Sequence, residues 1–139
     1  MDAQKIFELM NANPVFYLAT MDEEQPRVRG MLLYRADENG IIFHTASTKD
    51  VYAQIKKNPK AELCFFGNGV QVRVSGVLEE VVDEGLKQEI YAHPTRKFLR
   101  DWKEQGIGDD IVRIFNLKNG SAVTWTMDTN FEPKKAIML

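Results

Sequence analysis

Ala61-Glu-Leu-Cys-Phe-Phe66, Gly67-Asn68-Gly69 and Val70-Gln-Val-Arg-Val-Ser-Gly-Val-Leu78 form the stretch that decides the fold. Two runs rich in β-branched and aromatic residues flank an Asn-Gly pair, which suits the positive φ angles of a type I′ turn, so the stretch reads as a β-hairpin. Val70, Val72, Val74 and Leu78 share one face of its second strand. Gly76 lies on that same face, where a missing side chain lets another backbone approach or the sheet bend. Alternating rather than continuously apolar strands point to antiparallel pairing over a core.

The same pattern recurs outward from the hairpin. Val15-Phe-Tyr-Leu-Ala-Thr-Met21 precedes a polar turn, Asp22-Glu-Glu-Gln-Pro26, and residues 27–34 and 40–45 read as two further strands joined at Asp37-Glu38-Asn39-Gly40. Residues 111–117 and 121–127 give the last pair, joined at Asn119-Gly120. Helical spacing marks residues 2–12 through Ile6, Phe7 and Met10, with Asp2 as N-cap and Asn13-Pro14 as the stop. It returns in residues 48–57 through Val51 and Ile55, in 83–92 through Leu86 and Ile90, and at Phe98, Leu99 and Trp102. The turns are too short for βαβ crossovers, so the expectation is a mainly β domain of about seven antiparallel strands with flanking helices. Closing the strands into a barrel would remove exposed edges.

The 139 residues show no repeat or linker and read as a single domain, 1–139. Lys and Arg number 18 against 20 Asp and Glu, a net charge of −2 that argues against nucleic acid as a partner. The apolar fraction of 44% excludes a disordered chain. No apolar run approaches the roughly 20 residues that span a bilayer. The first residues, Met1-Asp2-Ala3-Gln4-Lys5, lack a leader's apolar run, so the expected location is the cytoplasm, without a membrane partner. Cys64 is the one cysteine and cannot form an internal disulfide; with apolar neighbours it reads as a buried, inert thiol. Neither His44 nor His93 sits in a metal-ligand spacing, so no metal is expected. His44, on a strand, faces either solvent or a ligand, and His93-Pro94 reads as loop.

Two segments suit an anion. Arg27, Arg29, Met31 and Leu33 fall on one strand face, and guanidinium groups beside apolar side chains are costly without an anion or a surface edge. In Phe43-His-Thr-Ala-Ser-Thr-Lys49, a strand delivers hydroxyls and an ammonium to a helix start, a combination that suits a phosphate. The bland alternative makes Ser47 or Thr48 a simple N-cap with Lys49 in solvent. A single phosphate could neutralise Arg29 and Lys49 together.

Leu18-Ala19-Thr20, Pro26-Arg27-Val28-Arg29-Gly30-Met31, Phe43-His44-Thr45, Gln54-Ile55-Lys56-Lys57-Asn58-Pro59 and Arg73-Val74-Ser75-Gly76-Val77 occur in an order and spacing that resembles the pyridoxamine 5′-phosphate oxidase-like flavoproteins. The resemblance covers residues 15–78 and weakens beyond. It implies an antiparallel Greek-key split β-barrel of the FMN-binding type, FMN as cofactor, and a homodimer with the flavin at the interface. Arg29 maps to the family's flavin-binding arginine, and Gly30, Met31 and Leu32 to contacts with the flavin ring. His44 and Thr45 map to ribityl-phosphate contacts, and Ser47, Thr48 and Lys49 to phosphate-binding hydroxyl and basic residues. Gln71 matches a flavin-contacting glutamine, and Trp125 is placed to reach the partner's cofactor. Val51 stands at the family's usual lysine, Asp50 at a common arginine and Tyr34 at a substrate-phosphate lysine. The oxidase's carboxy-terminal arginine–histidine motif is also missing, a pattern that fits the short, general-stress-type branch better than true pyridoxamine phosphate oxidation. The implied activity is that of an FMN-dependent oxidoreductase acting with a small-molecule electron donor and acceptor. A deazaflavin-dependent or nitroaromatic reductase, a non-catalytic flavin or haem carrier, and a pure scaffold stay open as alternatives.

Overall fold

In the computed structural model, which describes residues 1–139 apart from the side chain of Asp109, Asn68 and Gly69 have φ angles of 52° and 75°. This is the left-handed pair that a type I′ turn requires. The hairpin joins β4 (Lys60–Gly67) to β5 (Val70–Val81) with Leu63 opposite Val74 and Phe65 opposite Val72. An antiparallel meander of β1 (Val15–Asp22), β2 (Gln25–Asp37) and β3 (Gly40–Ala46) precedes it. β4 returns to lie beside β1, so the spatial order β4-β1-β2-β3 is a Greek key. β6 (Val112–Leu117) joins β3 to β5, and the β4–β5 pairing closes a six-stranded antiparallel barrel. β7 (Ser121–Trp125) and a two-residue β8 (Ile137–Met138) extend the sheet from β5.

β2 is longer than its pattern predicts, because the polar turn shrinks to Glu23-Glu24, with Glu23 at φ 54°, and Pro26 is already paired opposite Met21. Near its far end the β2–β3 register shifts between Leu33 and Arg35. The bulge places both Tyr34 and Arg35 against Glu89 of the helical layer, the Tyr34 hydroxyl donating at 2.6 Å and the guanidinium at 3.3 Å. Gly76 marks the point where β5 leaves β4 and approaches β6. A Cβ there would lie 3.0 Å from Leu117 Cδ2, so a side chain, not a backbone, takes the space.

Phe16, Phe43, Phe65 and Phe115 fill the barrel, with Phe16 stacked on Phe65 at 4.8 Å and edge-on to Phe43 at 5.6 Å. α1 (Ala3–Ala12), capped by Asp2 accepting from the Lys5 N–H at 2.9 Å, buries Ile6 and Met10. Its Asn11 side chain pairs with both backbone groups of Ala36, next to the last residue of β2. α2 (Asp50–Lys57) covers the opposite end with Val51 and Ile55. It starts two residues later than its sequence suggests. Lys49 occupies the N-cap without a side-chain cap bond, so neither Ser47 nor Thr48 is the cap, and the Lys49 N–H turns back to the Ala46 carbonyl. α3 (Glu84–Ala92) and α4 (Lys97–Glu104), joined by a 3-10 turn Pro94–Arg96, pack Ile90, Tyr91 and Leu99 on Ile42, Val112 and Ile114 outside the barrel. Cys64 is half-buried, not buried, because Leu63 and Phe65 take the inward face. Burial still pushes its thiol pKa up, which keeps it unreactive. No helix among the described residues is long and apolar enough to cross a membrane.

Candidate functional site

Arg29 is opposite Leu18, a residue fully buried in the barrel, so its side chain is on the inward face near the end covered by α2. There its guanidinium donates to Thr20 Oγ1 and to Gln54 Oε1, each at 2.7 Å, and more weakly to the Leu18 carbonyl at 3.3 Å. Thr20 Oγ1 in turn donates to Gln54 Oε1 at 2.7 Å. These acceptors are neutral. They hold the group in place without cancelling its charge, and burial lowers its pKa despite the opposing effect of Asp50.

Arg29 lines a cavity of about 560 Å³ with Arg27, Gly30, Met31, Lys49, Asp50 and Gln54. Arg27 is paired with Asp22 at 3.3 Å. Two cations, Arg29 and Lys49, therefore remain against the single carboxylate of Asp50. A second cavity of about 370 Å³ is lined by Gly30, Met31, Leu32, His44, Thr45 and Lys49 together with apolar residues of α3, α4 and the loop beyond. Gly30, Met31 and Lys49 line both, so a charged hollow runs into an apolar one.

Two details of the walls matter chemically. A Cβ at Gly30 would meet nothing within 4 Å, so the strand leaves open room where a flat molecule could lie against the backbone. Thr45 is 6% exposed, and its Oγ1 has no hydrogen-bond partner, an orphaned polar atom in the cavity wall.

Of the residues expected at the site, Arg29, Gly30, Met31, Leu32, His44, Thr45 and Lys49 thus gather at the two hollows. Ser47 and Thr48 line neither, because the turn before α2 carries them past the site; the Ser47 N–H is bonded to the Ile111 carbonyl at 2.7 Å. Gln71 and Trp125 line neither as well. They are paired across β5 and β7, with the Trp125 Nε1–H donating to Asn130 Oδ1 at 2.8 Å. Arg96, Gln54 and the α3–α4 wall have no mark in the sequence as site residues. Gln54 lies within a stretch that carries the resemblance, which was the one available signal.

Over residues 3–125 the chain matches the family model described as pyridoxamine 5′-phosphate oxidase. It is 35% identical over 88 residues to the pyridoxine/pyridoxamine 5′-phosphate oxidase of Chelativorans sp., a match covering 61% of this chain and 42% of that protein. The matches take in less than half the length of such curated relatives. Among solved structures, a NimC/NimA family protein of Clostridium acetobutylicum superposes with a TM-score of 0.77 at 22% identity, over 98% of this chain and 92% of that one. A pyridoxamine 5′-phosphate oxidase-related, FMN-binding protein of Nostoc punctiforme gives 0.63 at 19% identity, over 96% and 87%. At these identities the structural likeness is one of fold.

Proposed function

We propose that this chain, which belongs to the pyridoxamine 5′-phosphate oxidase family, is a homodimeric FMN flavoprotein that works as a small oxidoreductase. The observation that carries the reading is the shared wall of Gly30, Met31 and Lys49: one hollow offers two cations for a phosphate, and the other is apolar and large enough for a planar ring. The open space over Gly30 and the unpaired Thr45 hydroxyl fit such a ligand. In this reading Arg29 and Lys49 bind the phosphate, Gly30 leaves the ring its place, and Met31 and Leu32 pack against it. The bound flavin would carry the redox chemistry, with the protein supplying binding and orientation. The FMN-binding neighbour from Nostoc punctiforme supports the choice of cofactor.

Pyridoxamine phosphate itself fits poorly as substrate. Tyr34 stands where the oxidase places a lysine, and its hydroxyl is bonded to the Glu89 carboxylate. Burial and that hydrogen bond push its pKa up to about 12, so Tyr34 stays a neutral phenol, already engaged with a carboxylate, where a lysine would offer a phosphate a charge.

The homodimer reading is supported by the outer face of β2, β1, β4, β5 and β7. Cross-strand register sets Gly30, Tyr17, Cys64, Arg73 and Val123 in one row across it. Val15, Tyr17, Val28 and Phe66 are 58–69% exposed. Val15, Gly30 and Leu32 also line the apolar cavity, so a second copy seated on this face would close the hollow. Gln71 and Trp125 share the face on β5 and β7, and in this reading they contribute to the cavity of the other copy.

The test is direct. The purified protein should be yellow, or turn so on FMN titration, and should then oxidise NAD(P)H in the presence of an electron acceptor. Absence of both colour and FMN uptake rejects the flavoprotein; uptake without turnover under any donor leaves a carrier and rejects the oxidoreductase.

A further inference from the structure

One wall of the apolar cavity is built by Tyr91, Phe98, Leu99, Trp102 and Ile107. Phe98 and Trp102 meet edge to face at 5.2 Å, and Phe98 lies 6.2 Å from the His44 ring. No described carboxylate lines this hollow; besides the Tyr91 hydroxyl and the Trp102 indole N–H of the aromatic wall, its polar side chains are His44, Thr45 and Lys49. An aromatic wall facing an imidazole, a hydroxyl and an ammonium suits a flat, largely apolar molecule with a polar edge.

His44 is held from behind by Arg96, which is 2% exposed. The guanidinium donates through Nε to His44 Nε2, through Nη1 to Thr95 Oγ1 and through Nη2 to the Leu33 carbonyl, each at 2.9 Å. The rings of Tyr34 and Phe98 lie 5.4 and 6.0 Å from it. None of these partners is an anion, and a buried cation without a counter-ion is costly to keep. A guanidinium only donates, so His44 Nε2 must accept, and the proton of the neutral ring sits on Nδ1. Nδ1 has no acceptor among the described residues. The charged and titratable groups around the ring are Arg96 from the 3-10 turn, Lys49 ahead of α2, and Tyr34 on β2, whose hydroxyl is taken up by Glu89 of α3. Burial first, then Arg96 and Lys49, bring the His44 pKa down to about 4, so the ring is neutral at physiological pH.

We propose that Arg96 is a positioning residue that locks His44 as an Nδ1–H donor on the cavity wall, and that the cavity takes a planar aromatic molecule presenting an acceptor oxygen to that donor. The inference rests on the flavoprotein reading for its setting and deepens it. The acceptor belongs either to the flavin ring or to an aromatic substrate bearing a carboxylate, carbonyl or nitro group. Arg96, uncompensated behind the ring, favours an electron-rich edge and rejects a cationic one.

Long-range ¹H–¹⁵N NMR of the histidine rings reads the tautomer in the wild-type protein, with or without FMN, and needs no variant. The expected signature is a neutral, Nδ1-protonated His44; an Nε2-protonated ring overturns the proposal. In R96M the tautomer preference should be lost and the titration midpoint should rise from about 4 toward, but not to, 6.5, since burial persists. R96K should restore the lock, because its ammonium can still donate to Nε2. An unchanged His44 in a folded R96M overturns the positioning role. Benzoate and benzylamine then probe the occupant, with the His44 signals as readout. Benzoate should perturb them and benzylamine should not, and R96M should weaken benzoate about tenfold. A benzoate effect that survives FMN loading assigns the donor to substrate; one that FMN abolishes, with FMN itself shifting the signals, assigns it to the flavin ring. No response to either benzoate or FMN, or equal responses to benzoate and benzylamine, overturns the ligand class. FMN uptake is scored separately by absorbance, so loss of the flavoprotein reading is distinguishable from loss of the tautomer lock.

Discussion

At Arg29 the structural and the binding roles can be separated. Thr20 and Gln54 are bonded to one another as well as to the guanidinium, so removing the side chain leaves that pair intact. Arg29→Ala should therefore fold and weaken FMN binding by roughly ten- to a hundredfold, the range for losing a charged hydrogen-bond donor worth about 1.5–3 kcal/mol. Fluorescence titration with FMN checks it; unchanged affinity would remove Arg29 from the phosphate site. Gly30→Val makes the complementary test. The added side chain enters open space, and valine suits a strand, so thermal stability should hold while FMN affinity falls at least about tenfold. His44 carries a pH signature. Its folded pKa, about 4, lies below the ordinary 6.5, so unfolding takes up a proton between those values. Stability should decline as pH falls from about 6.5 to about 4, by on the order of 3 kcal/mol at about 1.36 kcal/mol per unit. Urea denaturation across that window should show a shallower decline in His44→Asn than in the wild type; identical slopes would refute the assignment.

Local chemistry made some elements legible and hid others. The β4–β5 hairpin is written in Asn68-Gly69, because few residues tolerate two successive positive φ angles. The α1 cap is written in Asp2. The β2 bulge has no such mark: Tyr34 and Arg35 are diverted by Glu89, more than fifty residues away, and nothing near them requires it. Arg96 was illegible for the same reason, since its partners His44 and Leu33 arrive from β3 and β2. Arg29 and Gly30 were legible because a strand sets their faces by alternation alone. Ser47 and Thr48 were not, because a turn has no such rule. Glycine at 120 is a case where packing, not φ, makes the demand. A Cβ there would lie 2.5 Å from Val74 Cγ1 and 2.7 Å from Leu117 Cδ2, where β5, β6 and β7 meet. Gly120→Ala should cost about 1–3 kcal/mol through overpacking, read from the urea midpoint. A neutral result would mean that Val74 and Leu117 repack without strain.

For the whole molecule, the question is what covers the outer face of the barrel. Val15, Tyr17, Val28 and Phe66 are each more than half exposed on a sheet that extends over five strands, and an exposed apolar face of this kind is what the proposed pairing of two chains would cover. Cys64, Arg73 and Val123 continue the row of Tyr17 across that face. Because Gly30, Leu32 and Val15 belong both to this face and to the apolar cavity, pairing and ligand binding share residues and should be linked. Phe66→Glu puts a carboxylate into the face while leaving the barrel interior, on the other side of β4, untouched. Sedimentation equilibrium should then report a monomer for the variant against the dimer expected of the wild type, with far-ultraviolet circular dichroism unchanged. FMN affinity should drop with it by about tenfold or more, since Gln71 and Trp125 would no longer reach a neighbouring cavity. A monomeric Phe66→Glu that binds FMN as tightly as the wild type would show that one chain alone completes the site, and would turn the exposed sheet into a surface for some other partner.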